Sequence, residues 1–252
     1  VKANHIIPSP EVTVDDGLLT WVIDQARSRG LRVFLMPTLH LQERAMGRWR
    51  GTLEPESWDQ WWWSYQRFIG HYSRLSQRHG VALLAVGSEL LSTERQQERW
   101  VALIKHVRRL YKGELTYSAN WDHFEPVSFW SELDVVGLTA YQQLSKQPTI
   151  DEPTLRKGFR PLMQRLRSWA KQHGKRYIFT EVGYPAQAHA AVRPWDYRQK
   201  GEARQEFQLA GYRALYEVWQ SDPLLDGLFL WNWFGEGGPE DPGYTPRGRA
   251  AA

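Results

Sequence analysis

Six short apolar runs, each followed by a polar loop and then a stretch with helical spacing, constrain this chain more than any other feature. The runs are L-R-V-F-L-M at 31–36, A-L-L-A-V-G at 82–87, L-T-Y-S-A-N at 115–120, D-V-V-G-L at 134–138, Y-I-F-T-E at 177–181 and G-L-F-L-W-N-W at 227–233. They are continuous, not alternating, as parallel strands covered on both faces must be. Between them lie helical patterns. Leu18, Leu19, Val22, Ile23 and Ala26 form one stripe, closed by Gly30, and Trp58, Trp62, Tyr65, Ile69 and Tyr72 form a second. Trp100, Leu103, Ile104, Val107 and Tyr111 make a third, opened by a Thr93/Gln96 capping-box spacing. Leu155, Phe159, Leu162 and Leu166 end at Gly174, and Phe207, Gly211, Ala214, Leu215 and Val218 end at Asp222-Pro223.

Strand then helix, repeated, predicts an α/β fold with right-handed crossovers. An open nucleotide-binding sheet would carry a glycine-rich turn after a strand, and neither G-x-G-x-x-G nor G-x-x-x-x-G-K-[ST] is present. Polar residues gather instead at the C-terminal ends of the runs: Glu89, Asn120, Tyr141, Glu181 and Trp233. That is where the chemistry of a TIM (β/α)8 barrel sits. The 252 residues suffice for one such catalytic domain, 1–252, but only six of eight strands are counted. The expectation is therefore a barrel lacking its first one to two strands, N-terminally incomplete by about 50 residues.

Composition narrows the function classes. No apolar run reaches the roughly 18 residues of a membrane span. The net charge of +4 comes from 32 basic residues interspersed with 28 acidic ones, without a basic block, so nucleic acid is not the expected partner. Cysteine is absent, which excludes thiolate metal sites and cysteine nucleophiles and fits an oxidising or a reducing compartment equally. No H-E-x-x-H and no G-x-S-x-G occurs, so neither a helical zinc site nor a serine-hydrolase elbow is expected, and no metal or cofactor is called for. The 14 tryptophans suit either a large core or platforms that stack on the C–H faces of sugars.

Two carboxylates have matched contexts. Glu89 follows V-G-S and Glu181 follows Y-I-F-T, three βα units apart, which puts both at the mouth of a barrel. Glycoside hydrolysis needs such a pair, one carboxylic acid to protonate the leaving oxygen and one carboxylate to attack or to activate water, about 5–5.5 Å apart in retaining enzymes. A Glu in such a place is equally a solvated loop residue or an arginine partner; the matched pair tips the reading to catalysis.

The ordered set V-G-S-E-L-L-S-T-E (86–94), L-T-Y-S-A-N-W-D (115–122), F-W-S-E-L-D-V-V-G-L-T-A-Y (129–141) and F-T-E-V-G-Y (179–184) resembles clan A retaining glycoside hydrolases, and more narrowly family 113. W-R-G at 49–51, P-W-D at 194–196, L-W-N-W-F at 230–234 and G-Y-T-P-R-G-R at 243–249 extend the resemblance over nearly the whole chain. It implies a TIM barrel, no cofactor, endo-β-1,4-mannanase activity, Glu89 as acid/base and Glu181 as nucleophile. The chain departs from the family with M-P-T-L-H at 36–40 and with Thr139 where an acidic residue is usual.

Around the pair, Tyr141 is expected to orient Glu181, and Ser88 and Asn120 to bind sugar hydroxyls or the carboxylates. Trp121 and Trp233 are expected as stacking platforms, with Trp231 lower in the barrel core. His40, Trp49 and Arg50 lie in the loop 37–54 and are expected to line the cleft, whereas Trp61, Trp62 and Trp63 are expected to pack on the barrel wall. The partner is a polysaccharide or oligosaccharide, cleaved by a monomer. The competing readings are a non-catalytic carbohydrate-binding barrel and a clan A β-glycosidase of different sugar specificity.

Overall fold

The computed structural model describes residues 4–41 and 49–251. In chain order these contain α1 (Asp16–Ser28), β1 (Phe34–Leu35), α2 (Trp58–Arg78), β2 (Leu83–Ser88), α3 (Gln97–Leu110), β3 (Glu114–Asn120), β4 (Val136–Thr139), α4 (Glu152–His173), β5 (Tyr177–Val182), α5 (Gln205–Trp219) and β6 (Leu225–Leu230). The strands follow sequence order in the sheet, β1 to β6. The pairs β1–β2, β2–β3 and β5–β6 are parallel, with Phe34 opposite Leu83, Leu84 opposite Leu115 and Phe179 opposite Leu228. Sequential strands with intervening helices are the order of a (β/α) barrel; six strands stand among the described residues, against eight in a closed barrel.

The residues fall into two compact units, one running to Ala119 and including Glu125–Val136, the other made of Asn120–Phe124 and the chain from Gly137 on. In the first, β2 is buried almost throughout because it has a strand on either side and helices over it. Its core is aromatic. Trp61 stacks on Tyr65 at 4.8 Å, Trp62 meets Trp100 edge-on at 5.2 Å, and Trp100 stacks on Phe129 at 4.4 Å. Of the three consecutive tryptophans, Trp61 and Trp62 pack as expected. Trp63 points away and is exposed, with the Arg67 guanidinium over its ring, since a helix turns 100° per residue and three neighbours cannot share one face.

Local signals account for several helix ends. Asp15 caps α1 by accepting the Gly17 and Leu18 N–H groups, Ser57 caps α2 and Asp151 caps α4. Helix α4 stops at Gly174, whose φ of 62° is the left-handed conformation that glycine adopts without steric cost. Two expectations are corrected. Thr93 closes a 3-10 turn and gives its hydroxyl hydrogen to the Leu90 carbonyl, so the Thr93/Gln96 capping box does not form and α3 begins at Gln97. The stripe on α1 is covered where Ile23 meets Leu75 and Val81, with Leu19 packed against that cluster, whereas Leu18 and Val22 are exposed.

In the second unit, α4 and α5 pack together and β5 is buried at all six positions. Phe159, Tyr177, Phe179 and Trp219 form its core, with Phe179 edge-on to Trp219 at 4.8 Å. Strand β6 pairs with β5 but leaves Phe229 and Leu230 exposed.

Candidate active site

Glu89 directly follows β2, and its φ of 52° makes it the one non-glycine residue with a left-handed backbone among the described residues. That conformation costs on the order of 1–2 kcal/mol for an L-residue and persists only where the surroundings over-determine it. Here its N–H donates to the Ser118 carbonyl on β3 at 2.8 Å. The turn throws the carboxylate onto Arg50. The guanidinium donates to Glu89 Oε2 at 2.7 Å through Nη2, to the Ser88 carbonyl at 3.1 Å through Nε and to Ser88 Oγ at 3.3 Å. Arg50, Ser88 and Glu89 are thus brought together, all three partly or fully buried. Tyr65, its phenol held neutral by burial, supports the strand beneath by donating to the Val86 carbonyl at 2.8 Å.

Glu181 stays within regular strand, second from the end of β5, and is buried. The Tyr141 hydroxyl donates to its Oε2 at 3.0 Å, and its own carbonyl accepts the Ala140 N–H at 2.7 Å. Tyr141 and Glu181 are therefore joined as the sequence suggests. Gln142, next in the chain, is buried with neither amide atom hydrogen-bonded among the described residues.

The aromatic candidates divide. The Trp231 N–H bonds the Val182 carbonyl at 2.8 Å, which brings the segment after β6 alongside the end of β5. Gly183 permits this approach, because any Cβ there would strike the Trp231 carbonyl. Trp233 is 58% exposed, available as a platform. Trp231 is not in the core as expected. It is 37% exposed and meets Phe234 edge-on, because β6 ends at Leu230 and the in-out alternation of the strand does not extend to it. Asn120 closes β3, half-buried. Trp121 follows it and lies 6.4 Å from Trp195, the rings tilted by 36°. The Trp195 segment is braced by Tyr244, which donates to the Pro194 carbonyl at 2.5 Å, and the Tyr244 segment by the buried Arg249 guanidinium, which donates to the Gly238 and Gly243 carbonyls. His40 is exposed, and Trp49 precedes the 3-10 turn that carries Arg50. The rest of the expected loop, 42–48, lies outside the described residues.

Sequence reasoning missed Gln142, and it missed Tyr117 and Glu94, which are buried beside the Glu89 turn. Nothing in the spacing marks them; a Glu in the polar stretch S-T-E-R reads as solvated.

The chain matches the sequence model of Glycoside Hydrolase Family 113 over residues 1–242. Among solved structures it is similar to the GH113 β-mannanase AaManA from Alicyclobacillus acidocaldarius, determined in complex with ManMIm. The identity is 31% and the TM-score 0.86, covering 98% of this chain and 79% of that one. A structure of a GH113 β-1,4-mannanase gives 26% identity and a TM-score of 0.87 over 99% of this chain and 80% of that chain. A complex structure of a GH113 β-1,4-mannanase gives 25% and 0.85 over 100% and 82%. No curated protein sequence matches the chain.

Proposed function

Since the chain belongs to Glycoside Hydrolase Family 113 and is a glycoside hydrolase, we propose that it is an endo-acting enzyme on β-1,4-mannan that retains anomeric configuration by double displacement, with Glu181 as nucleophile and Glu89 as acid/base. The observation that carries the assignment is the Tyr141–Glu181 hydrogen bond at the C-terminal end of β5. A nucleophilic carboxylate must be aimed at the anomeric carbon and shielded from bulk water, and a buried Glu that accepts a hydrogen bond from the Tyr141 hydroxyl fits that role. In the first step the Glu181 oxygen bonds to that carbon as the glycosidic bond breaks, and Glu89 gives its proton to the departing oxygen. In the second, Glu89 takes a proton from water, whose oxygen displaces Glu181.

Arg50, first read as a cleft-lining residue, is better used as the group that holds Glu89 and Ser88 in place. Ser88, Asn120 and the unsatisfied Gln142 amide are the donors and acceptors offered to sugar hydroxyls, with Trp121, Trp231 and Trp233 as apolar faces, and His40 and Trp49 as rim residues. The 1–252 chain is read as one catalytic domain acting as a monomer.

Azide rescue tests the roles. In Glu89→Ala, azide should intercept the glycosyl-enzyme and release the β-mannosyl azide; in Glu181→Ala it should attack directly and give the α-anomer. The opposite anomers would exchange the roles. Absence of turnover by the unmodified chain on a panel of β-linked polysaccharides would favour the binding-barrel reading.

A further inference from the structure

We infer that Tyr117 and Glu94 are positioning residues for Glu89, acting as a buried relay that sets the left-handed turn from which its carboxylate projects; this rests on the acid/base reading of Glu89. The turn presents two consecutive backbone N–H groups to β3. Glu89 N–H is taken by the Ser118 carbonyl, and Leu90 N–H, at 2.7 Å, by the Tyr117 hydroxyl. Leu90 is fully buried, so without that oxygen its N–H would be an orphan donor with no water to turn to. The Tyr117 hydroxyl has one hydrogen, and with its oxygen accepting from Leu90 that hydrogen goes to Glu94 Oε1 at 2.8 Å. Burial and the neighbouring Glu94 hold the phenol well above its usual range, so it stays a neutral donor.

Both ends of the relay are fixed. The Tyr117 ring lies edge-on to Trp100 at 5.3 Å and to Phe129 at 5.2 Å, and a Cβ on Gly87 would press on it. The Glu94 carbonyl accepts the Ser128 hydroxyl at 2.7 Å and the Ser128 N–H at 3.3 Å. Glu94 itself is completely buried, where a carboxylate is costly unless hydrogen bonds such as that from Tyr117 offset its desolvation. What it orients is the hydroxyl that holds residue 90, and residue 90 fixes the direction in which residue 89 leaves the strand.

The test compares two substrates that differ in need for an acid: β-1,4-mannan, whose leaving alcohol must be protonated, and a dinitrophenyl β-mannobioside, whose phenolate leaves unaided. Tyr117→Phe should lower kcat on mannan by about 10–100-fold, the scale of a displaced catalytic group, with KM within about twofold. Its kcat/KM on the activated glycoside should stay within about threefold. Glu94→Gln keeps an oxygen for the Tyr117 hydrogen and should remain within about threefold on both substrates. Equal losses on both substrates for Tyr117→Phe, the mark of a general structural defect, would overturn the inference, as would no loss on either. Glu89→Ala is the benchmark. If it is not itself selective for mannan, the acid/base reading fails; if it is selective and Tyr117→Phe is not, only the relay fails. Should Tyr117→Phe not fold once Glu94 loses the Tyr117 donor, Tyr117→Phe/Glu94→Gln replaces that buried carboxyl and carries the same comparison.

Discussion

Glu89 and Glu181 end nearly the same kind of sequence, an apolar strand closing in a small polar residue, yet they leave that strand differently and meet different partners. Glu89 leaves its strand through a left-handed turn and lies against a guanidinium; Glu181 keeps strand backbone and accepts from the Tyr141 hydroxyl. The difference teaches that the carboxylate and its strand are only half of a site. The partner decides how the group is held, and the partner arrives from elsewhere in the chain. Arg50 comes from 39 positions upstream of Glu89 and Tyr141 from 40 positions upstream of Glu181.

A third carboxylate separates partner from position. Asp222 has both kinds of partner, accepting from Arg167 Nε and from the Tyr177 hydroxyl, each at 2.7 Å. It sits against the first residue of β5, however, not the last, and in barrels of this class that end serves stability.

The comparison breaks first at Glu181. Glu181→Gln should abolish mannan hydrolysis by several orders of magnitude while leaving the melting temperature within a few degrees, since an amide can still accept from Tyr141; retained turnover would remove it from the chemistry. Arg50→Met should follow, lowering kcat on mannan by about 10–100-fold, because charge-assisted hydrogen bonds are the stronger kind, with Arg50→Lys recovering only part of it. An unchanged kcat would reduce Arg50 to a surface ion pair. Tyr141→Phe should cost less, about tenfold in kcat with KM nearly unchanged, the scale of one hydrogen bond to a charged group. A loss larger than that of Arg50→Met would invert the expected order of the two partners.

Asp222→Asn should leave kcat alone and cost about 2–4 kcal/mol of stability by urea denaturation at neutral pH, as expected for breaking a buried charged pair. Burial alone would raise the Asp222 pKa, but the bonds from Tyr177, the Leu224 N–H and Arg167 bring it below its usual value. A carboxylate whose folded pKa is depressed contributes fully above the unfolded value of about 3.9 and loses that contribution as pH falls through the folded one. The difference between wild type and Asp222→Asn should therefore be constant from about pH 5 to 8 and shrink below about pH 4. A difference that persisted undiminished in acid would mean that packing, not charge, sets the cost.

The sequence by itself determined the strands, the helices and the placing of Glu89 and Glu181 at strand ends. A strand covered on both faces must be apolar without interruption, and the polar residue that ends it marks the strand's edge; both are local facts, written in six or seven consecutive letters. Helix ends such as Asp15 and Gly174 are local in the same sense. Only the tertiary structure decided that Arg50 meets Glu89, that Tyr117 and Glu94 lie behind that turn, that residue 89 is left-handed, and that Trp231 is exposed. The Thr93 capping pattern failed for a related reason, its hydroxyl having been drawn to the Leu90 carbonyl by the turn that follows Glu89. Each of these depends on which distant backbone group or side chain reaches an orphaned donor or carboxylate first. That outcome follows from how β2 and β3 are registered and what packs over them, and no periodicity along the chain records it.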